Sequence, residues 1–84
     1  MTIRHLKVFV SVCELGSITK TADMLSIAQP AVSQTIKELE QYYSVELFLR
    51  INRRLILTEH GKKLFLKAKE VLADFEEFEC LAYE

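Results

Sequence analysis

Gln29, Pro30, Ala31, Ser33, Gln34 and Lys37 sit together in the stretch AQPAVSQTIKELE (residues 28–40), and none is an acid or a bulky apolar group. A side-chain amide offers a donor beside an acceptor, and a hydroxyl offers both at one atom. Such groups pair with base edges in a nucleic-acid groove, while small residues beside them let the backbone come close. Lys37 adds a cation. Further along, Arg50, Arg53 and Arg54 supply three more, and Lys20 precedes the stretch. Each cation that neutralises a phosphate releases counterions, so the chemistry these residues suit is salt-sensitive, non-covalent recognition of a polyanion.

Other chemistries fit poorly. His5 and His60 are isolated, without a second histidine or cysteine at ligand spacing and without a Ser-His-acid arrangement. Neither of the two glycines belongs to a phosphate-cradling loop. Cys13 continues an apolar stripe and reads as a buried structural thiol, and Cys80 reads as a free thiol in an acidic tail. The sequence thus implies no enzyme, metal or cofactor. The acids Asp74, Glu76, Glu77 and Glu79 read as the solvent face of a helix.

Charge is unevenly spread. All eleven Lys and Arg fall in residues 1–69 against six acids, and residues 70–84 hold six acids and no base, which leaves a net charge of −1. The body is basic and the tail acidic, so the overall charge says little about partners. No apolar run reaches membrane-spanning length and the N-terminus lacks a signal-peptide pattern, so the cytosol is the expected location.

The elements that must position these residues are short. Ile3, Leu6, Phe9, Val10 and Cys13 follow helical spacing and predict a helix over residues 3–14, ended by a left-handed Gly16. Ser17 caps a second helix, 18–25, with core face Ile18, Ala22 and Leu25. Pro30 is favoured at the first position of a helix, and the quoted stretch, extended to about Tyr42, is the third helix, 28–42. Its face of Val32, Ile36 and Leu39 continues to Tyr43, and Glu38 and Glu40 point towards fold and solvent. Two helices joined by so short a link have the proportions of a helix-turn-helix. The period then changes, predicting a hairpin of strands 47–51 and 55–57 with Asn52 to Arg54 at its tip, which after a helix-turn-helix is a wing.

Thr58 caps a last helix, from 59 to the low 80s. Leu64, Ala68, Val71, Phe75, Phe78 and Ala82 alternate in steps of four and three along it, with Phe65 and Leu72 as a second row. So small a chain cannot cover all of it, and the seam is expected to pair with a second copy. The predicted fold is therefore mainly α with a small β-hairpin: a winged helix-turn-helix over residues 1–58 and a linker, or dimerisation, helix over 59–84.

Three pieces in order, QPAVSQTIKELE, LFLR and LTEHG, resemble the N-terminal winged helix-turn-helix of the LysR-type transcriptional regulators, and the resemblance spans nearly the whole chain. It implies a bacterial regulator that binds double-stranded promoter DNA as a homodimer. The third helix would enter the major groove, and the wing would contact flanking backbone or minor groove. Carried across, Gln29, Pro30, Ala31, Ser33, Gln34 and Lys37 face the groove, with Gln29 and Ser33 nearest the bases. Arg50 matches the family's LFxR arginine, and Arg53 and Arg54 its basic wing tip. The linker helices would pair antiparallel through Leu64, Ala68, Val71, Phe75 and Phe78.

The chain departs from the family at Thr21, which is expected to loosen the packing of helices two and three, and at Ala28, where a capping serine is common. Ser44 replaces a glycine before the wing, and Leu49 a polar residue in it. Family members continue into an effector-binding domain, so residues 1–84 are expected to be the DNA-binding fragment of a longer chain, with any small-molecule effector acting through the missing part. Two other readings remain open: a molybdate-type regulator domain, and a winged helix used for protein–protein contact.

Overall fold

A computed structural model describes residues 1–83; Glu84, the end of the expected linker segment, lies outside them. The chain order is α1 (Ile3–Leu15), α2 (Ile18–Leu25), α3 (Gln29–Tyr43), β1 (Phe48–Ile51), β2 (Arg54–Leu57) and α4 (Glu59–Ala82).

Helix α1 is the hub. At its start the Thr2 hydroxyl accepts the His5 amide at 3.3 Å and His5 Nδ1 accepts the Thr2 amide at 3.1 Å. This is a capping box with imidazole where a glutamate or glutamine is usual. Gly16 ends α1 at φ 63° and donates its N–H to the Val12 carbonyl at 2.8 Å. Besides the expected Phe9 and Val10, Val8 and Val12 are buried, Val12 completely. A one-face stripe misses them because α2, α3 and α4 all pack on α1. Cys13 is half-buried, and burial together with neighbouring Glu14 pushes its thiol up to about 12.

Ser17 caps α2 by accepting the Lys20 amide at 3.1 Å. Ala22 is buried as expected, whereas Ile18 and Leu25 are only half-buried. Thr21, expected to loosen the packing of α2 and α3, is fully buried, and its hydroxyl donates to the Ser17 carbonyl at 2.8 Å. Ser26 and Ser44, both left-handed at φ 56° and 55°, end α2 and α3.

Helix α3 is shifted by one residue at each end from the expected 28–42, and Gln29 takes the first position with Pro30, expected there, in the second. An N–H at either position has no intrahelical acceptor, so proline is tolerated at both. Val32, Ile36 and Leu39 are buried, but Tyr43 is 41% exposed and meets Tyr42 edge-on, which ends the core stripe at Leu39.

The wing is a two-stranded antiparallel sheet in which Phe48 pairs with Leu57 and Ile51 with Arg54. Its turn is Asn52 and Arg53 alone, with φ 50° and 64°. Two left-handed residues give the turn the handedness that a twisted hairpin requires. Arg54 is therefore a strand residue rather than part of the tip, because a two-residue loop leaves no third place. Phe48 is held edge-on against Phe9 at 5.8 Å between ring centres, tying the wing to the core.

Thr58 joins wing to α4. Its amide donates to the Leu47 carbonyl at 3.0 Å, its hydroxyl donates to the Glu46 carbonyl at 2.6 Å, and its oxygen accepts the Gly61 amide at 3.0 Å. A Cβ on Gly61 would run into the Leu47 carbonyl oxygen and lie 2.8 Å from the Leu57 side chain. Helix α4 then returns along α1, with Lys69 opposite Glu14 at 3.7 Å and Phe75 beside Ile3 and Lys7.

The predicted α4 seam divides between two surroundings. Ala68 is 4% exposed and Leu64 packs on the core, so Ala68 has almost no surface left to offer a partner, whereas Phe78 is 67% exposed and Ala82 is also exposed. A heptad row on a straight helix drifts by about 20° per repeat, which turns its early positions inward and its late ones outward. Phe65 and Leu72 face the chain's own core.

Two substitutions check this joint and this turn. Gly61→Ala is expected to lower the unfolding free energy by about 1–3 kcal/mol in denaturant titration, because a backbone carbonyl must move. Arg53→Gly is expected to raise it by about 0.5–1 kcal/mol, since glycine adopts the left-handed turn without a Cβ penalty.

Candidate nucleic-acid interface

The buried face of α3 fixes the orientation of the opposite one. With Val32, Ile36 and Leu39 in the core, Gln29, Pro30, Ala31, Ser33, Gln34 and Lys37 are all exposed. Ser33 and Lys37 meet Arg50 across a notch of about 290 Å³ between α2, α3 and the wing, floored by Ile18, Phe48 and Leu55. Hence residues from separate parts of the chain line one concave surface. Gln34 stands outside this notch, on the outward side of α3. Arg53 lies at the wing tip, and Arg54 lies beside it in β2.

Among the described residues, Lys62, Lys67 and Lys69 pair with Glu59, Glu70 and Glu14. Lys20, Lys37, Arg50, Arg53 and Arg54 enter no ion pair among them, and neither do Arg4, Lys7 and Lys63. The cations of the notch and wing are therefore free to meet an external anion. Lys20 is exposed on α2 but does not line the notch. Ala28 contributes no side-chain cap, which leaves the start of α3 open.

Sequence reasoning missed two roles. Glu40 accepts the Leu47 and Phe48 amides on one carboxylate oxygen, at 2.7 and 3.4 Å, and so clamps the wing to α3. Glu38 accepts the Gln34 amide at 3.3 Å and contacts His5 Nε2 at 3.2 Å. In the sequence both acids read only as pointing towards fold and solvent, because their partners lie far off in sequence or across the helix surface. Among the described residues, no group of three His, Cys, Asp or Glu could hold a metal ion, and no helix is long and apolar enough to cross a membrane.

Residues 3–62 match the lysR family of bacterial regulatory helix-turn-helix proteins. The uncharacterized HTH-type transcriptional regulator YvbU of Bacillus subtilis is 43% identical over 83 residues, which are 98% of this chain and 28% of that protein. The nitrogen assimilation regulatory protein nac of Klebsiella aerogenes is 40% identical over 77 residues, 92% of this chain and 25% of its own length. The chain thus spans little more than a quarter of these relatives.

The crystal structure of the BenM DNA-binding domain with catB site 1 DNA superposes with a TM-score of 0.94 at 35% identity, covering 99% of this chain and 93% of that one. Full-length BenM gives a TM-score of 0.92 at 34% identity, with 100% of this chain matching 28% of it. With the helix order, the wing and the family match in agreement, this chain belongs to the lysR family of bacterial transcription regulators, a family of regulators rather than enzymes, and is its winged helix-turn-helix DNA-binding domain.

Proposed function

We propose that the chain binds promoter DNA in a sequence-specific manner as a homodimer. In this reading α3 lies in the major groove, whose width admits a helix, and Gln29, Pro30, Ala31, Ser33, Gln34 and Lys37 face the groove. Arg50, Arg53 and Arg54 reach the flanking backbone or minor groove. The observation that carries the proposal is the notch itself, where Ser33, Lys37 and Arg50 converge and both cations are unpaired. The likeness to a DNA-binding domain solved with its DNA supports the same placement.

Pairing would use the outer half of α4. Val71, Phe78 and Leu81 are 37%, 67% and 62% exposed. The first half of α4 carries Lys62, Lys63, Lys67 and Lys69 against Glu59 and Glu70, and the second carries Asp74, Glu76, Glu77 and Glu79 with no base. An antiparallel pair sets each basic half beside the partner's acidic half, whereas a parallel pair sets like against like. Residues 1–58 then read DNA and residues from 59 onward pair the copies. Any small-molecule effector would act through the part of its relatives' length that this chain does not span. A cytoplasmic location follows for a protein that reads promoters.

Selection of bound sites from a random duplex pool tests the reading. A bipartite, partly palindromic site is expected, and Ser33→Ala should cost about 1–3 kcal/mol at one base pair and leave the others alone. Arg53→Gly should weaken all duplexes alike and flatten the salt slope by about 0.9 for each phosphate it no longer neutralises. Failure to enrich any sequence, with binding indifferent to salt, would overturn the proposal. Sedimentation should show a dimer at micromolar concentration and a monomer for Phe78→Ser; a monomeric parent chain would remove the pairing.

A further inference from the structure

Glu38 stands on the side of α3 that would approach phosphates, where a carboxylate opposes binding of a polyanion. Its contacts give it a role. His5 Nδ1 meets the Thr2 amide at 3.1 Å and the Thr2 hydroxyl at 2.9 Å. The amide can only donate, so in the neutral ring that nitrogen carries the lone pair, the hydroxyl donates to it as well, and Nε2 carries the proton. Nε2 therefore donates to Glu38 Oε2, at 3.2 Å. The other carboxylate oxygen, Oε1, accepts from Gln34 Nε2 at 3.3 Å. An ionised carboxylate can only accept, so the amide of Gln34 must turn its NH₂ towards Glu38 and its carbonyl oxygen away.

We propose that Glu38, itself held by His5, is a positioning residue for Gln34, setting which end of the amide leads into the DNA groove. The inference rests on the reading that α3 enters that groove. With the carbonyl Oε1 leading, Gln34 favours base edges that present a donor, adenine N6 or cytosine N4, over the oxygen acceptors of guanine and thymine. The start of α1 thereby acts on sequence preference without touching DNA: the capping box fixes the imidazole tautomer, the imidazole fixes the carboxylate, and the carboxylate fixes the amide.

Glu38→Gln gives the sharpest test. The new amide's carbonyl would take the proton of His5 Nε2, leaving its NH₂ towards Gln34. Gln34 would then turn its own oxygen inward and present NH₂ to the groove. Site selection with the 84-residue chain should show a donor-bearing base at one position, favoured by about fivefold or more. Glu38→Gln should move the preference there to an acceptor-bearing base.

Glu38→Ala and His5→Ala should broaden that position only. Gln34→Ala should abolish the preference and make any added change at Glu38 silent at that base pair. A merely structural role would instead shift all positions together with the melting temperature, and that result counts against the proposal. Variants at Glu38 that select the same base as the parent chain would overturn it. A parent chain that selects no sequence would instead overturn the groove reading on which the proposal stands.

Discussion

One residue, Leu47, holds the three working parts of this fold in register. Its N–H donates to the Glu40 carboxylate of α3 at 2.7 Å. Its carbonyl accepts the Thr58 amide at the start of α4 at 3.0 Å, with Gly61 pressed against the same oxygen. Its side chain, 1% exposed, fills the core between them. A buried residue must find partners for both its backbone N–H and its C=O. Here the donor's partner lies on α3 and the acceptor's at the start of α4. The bond to Glu40 is charge-assisted, and such bonds are shorter and stronger than neutral ones. The wing leaves α3 at the angle this residue sets.

That angle decides whether Arg50 meets Ser33 and Lys37 across one notch or points elsewhere. Few other contacts could set it, because the wing has only four residues in each strand and an outer face, Leu49, Ile51 and Ile56, that stays exposed. Phe48 against Phe9 is the second anchor. The residues that would touch DNA stand outside the core, on the far side of α3 and along the wing, so they can vary with little cost to folding. Their freedom from ion pairs also keeps their charge available, whereas the lysines of α4 are largely committed to neighbouring acids.

Much of this was legible in residue order. The stripes of α1 and α3, the glycine after α1, the hydroxyl caps at Ser17 and Thr58 and the change of period at the wing are local signals, and local physics produces the elements they announce. The basic and small polar residues of α3 could be picked out because their types are unsuited to a core. The boundaries of α3 and the hairpin moved by a residue, since neither a proline near a helix start nor a turn without glycine fixes a boundary uniquely. The residues whose surroundings residue order did not announce were those packed by several elements at once: Val8, Val12 and Thr21, which are buried, and Ala68, which faces the chain's own core.

Residue types at fixed spacing were enough to point to the family, the order of elements and the cations and small polar groups that α3 and the wing leave exposed. Tertiary structure alone decided which of those residues share a surface. It also decided which acids serve the site. Glu38 and Glu40 differ by two places on one helix, yet one reaches back to α1 and Gln34 while the other grips the wing. A side chain's role there is set by what the fold brings within hydrogen-bonding distance, and separation along the chain does not encode that distance.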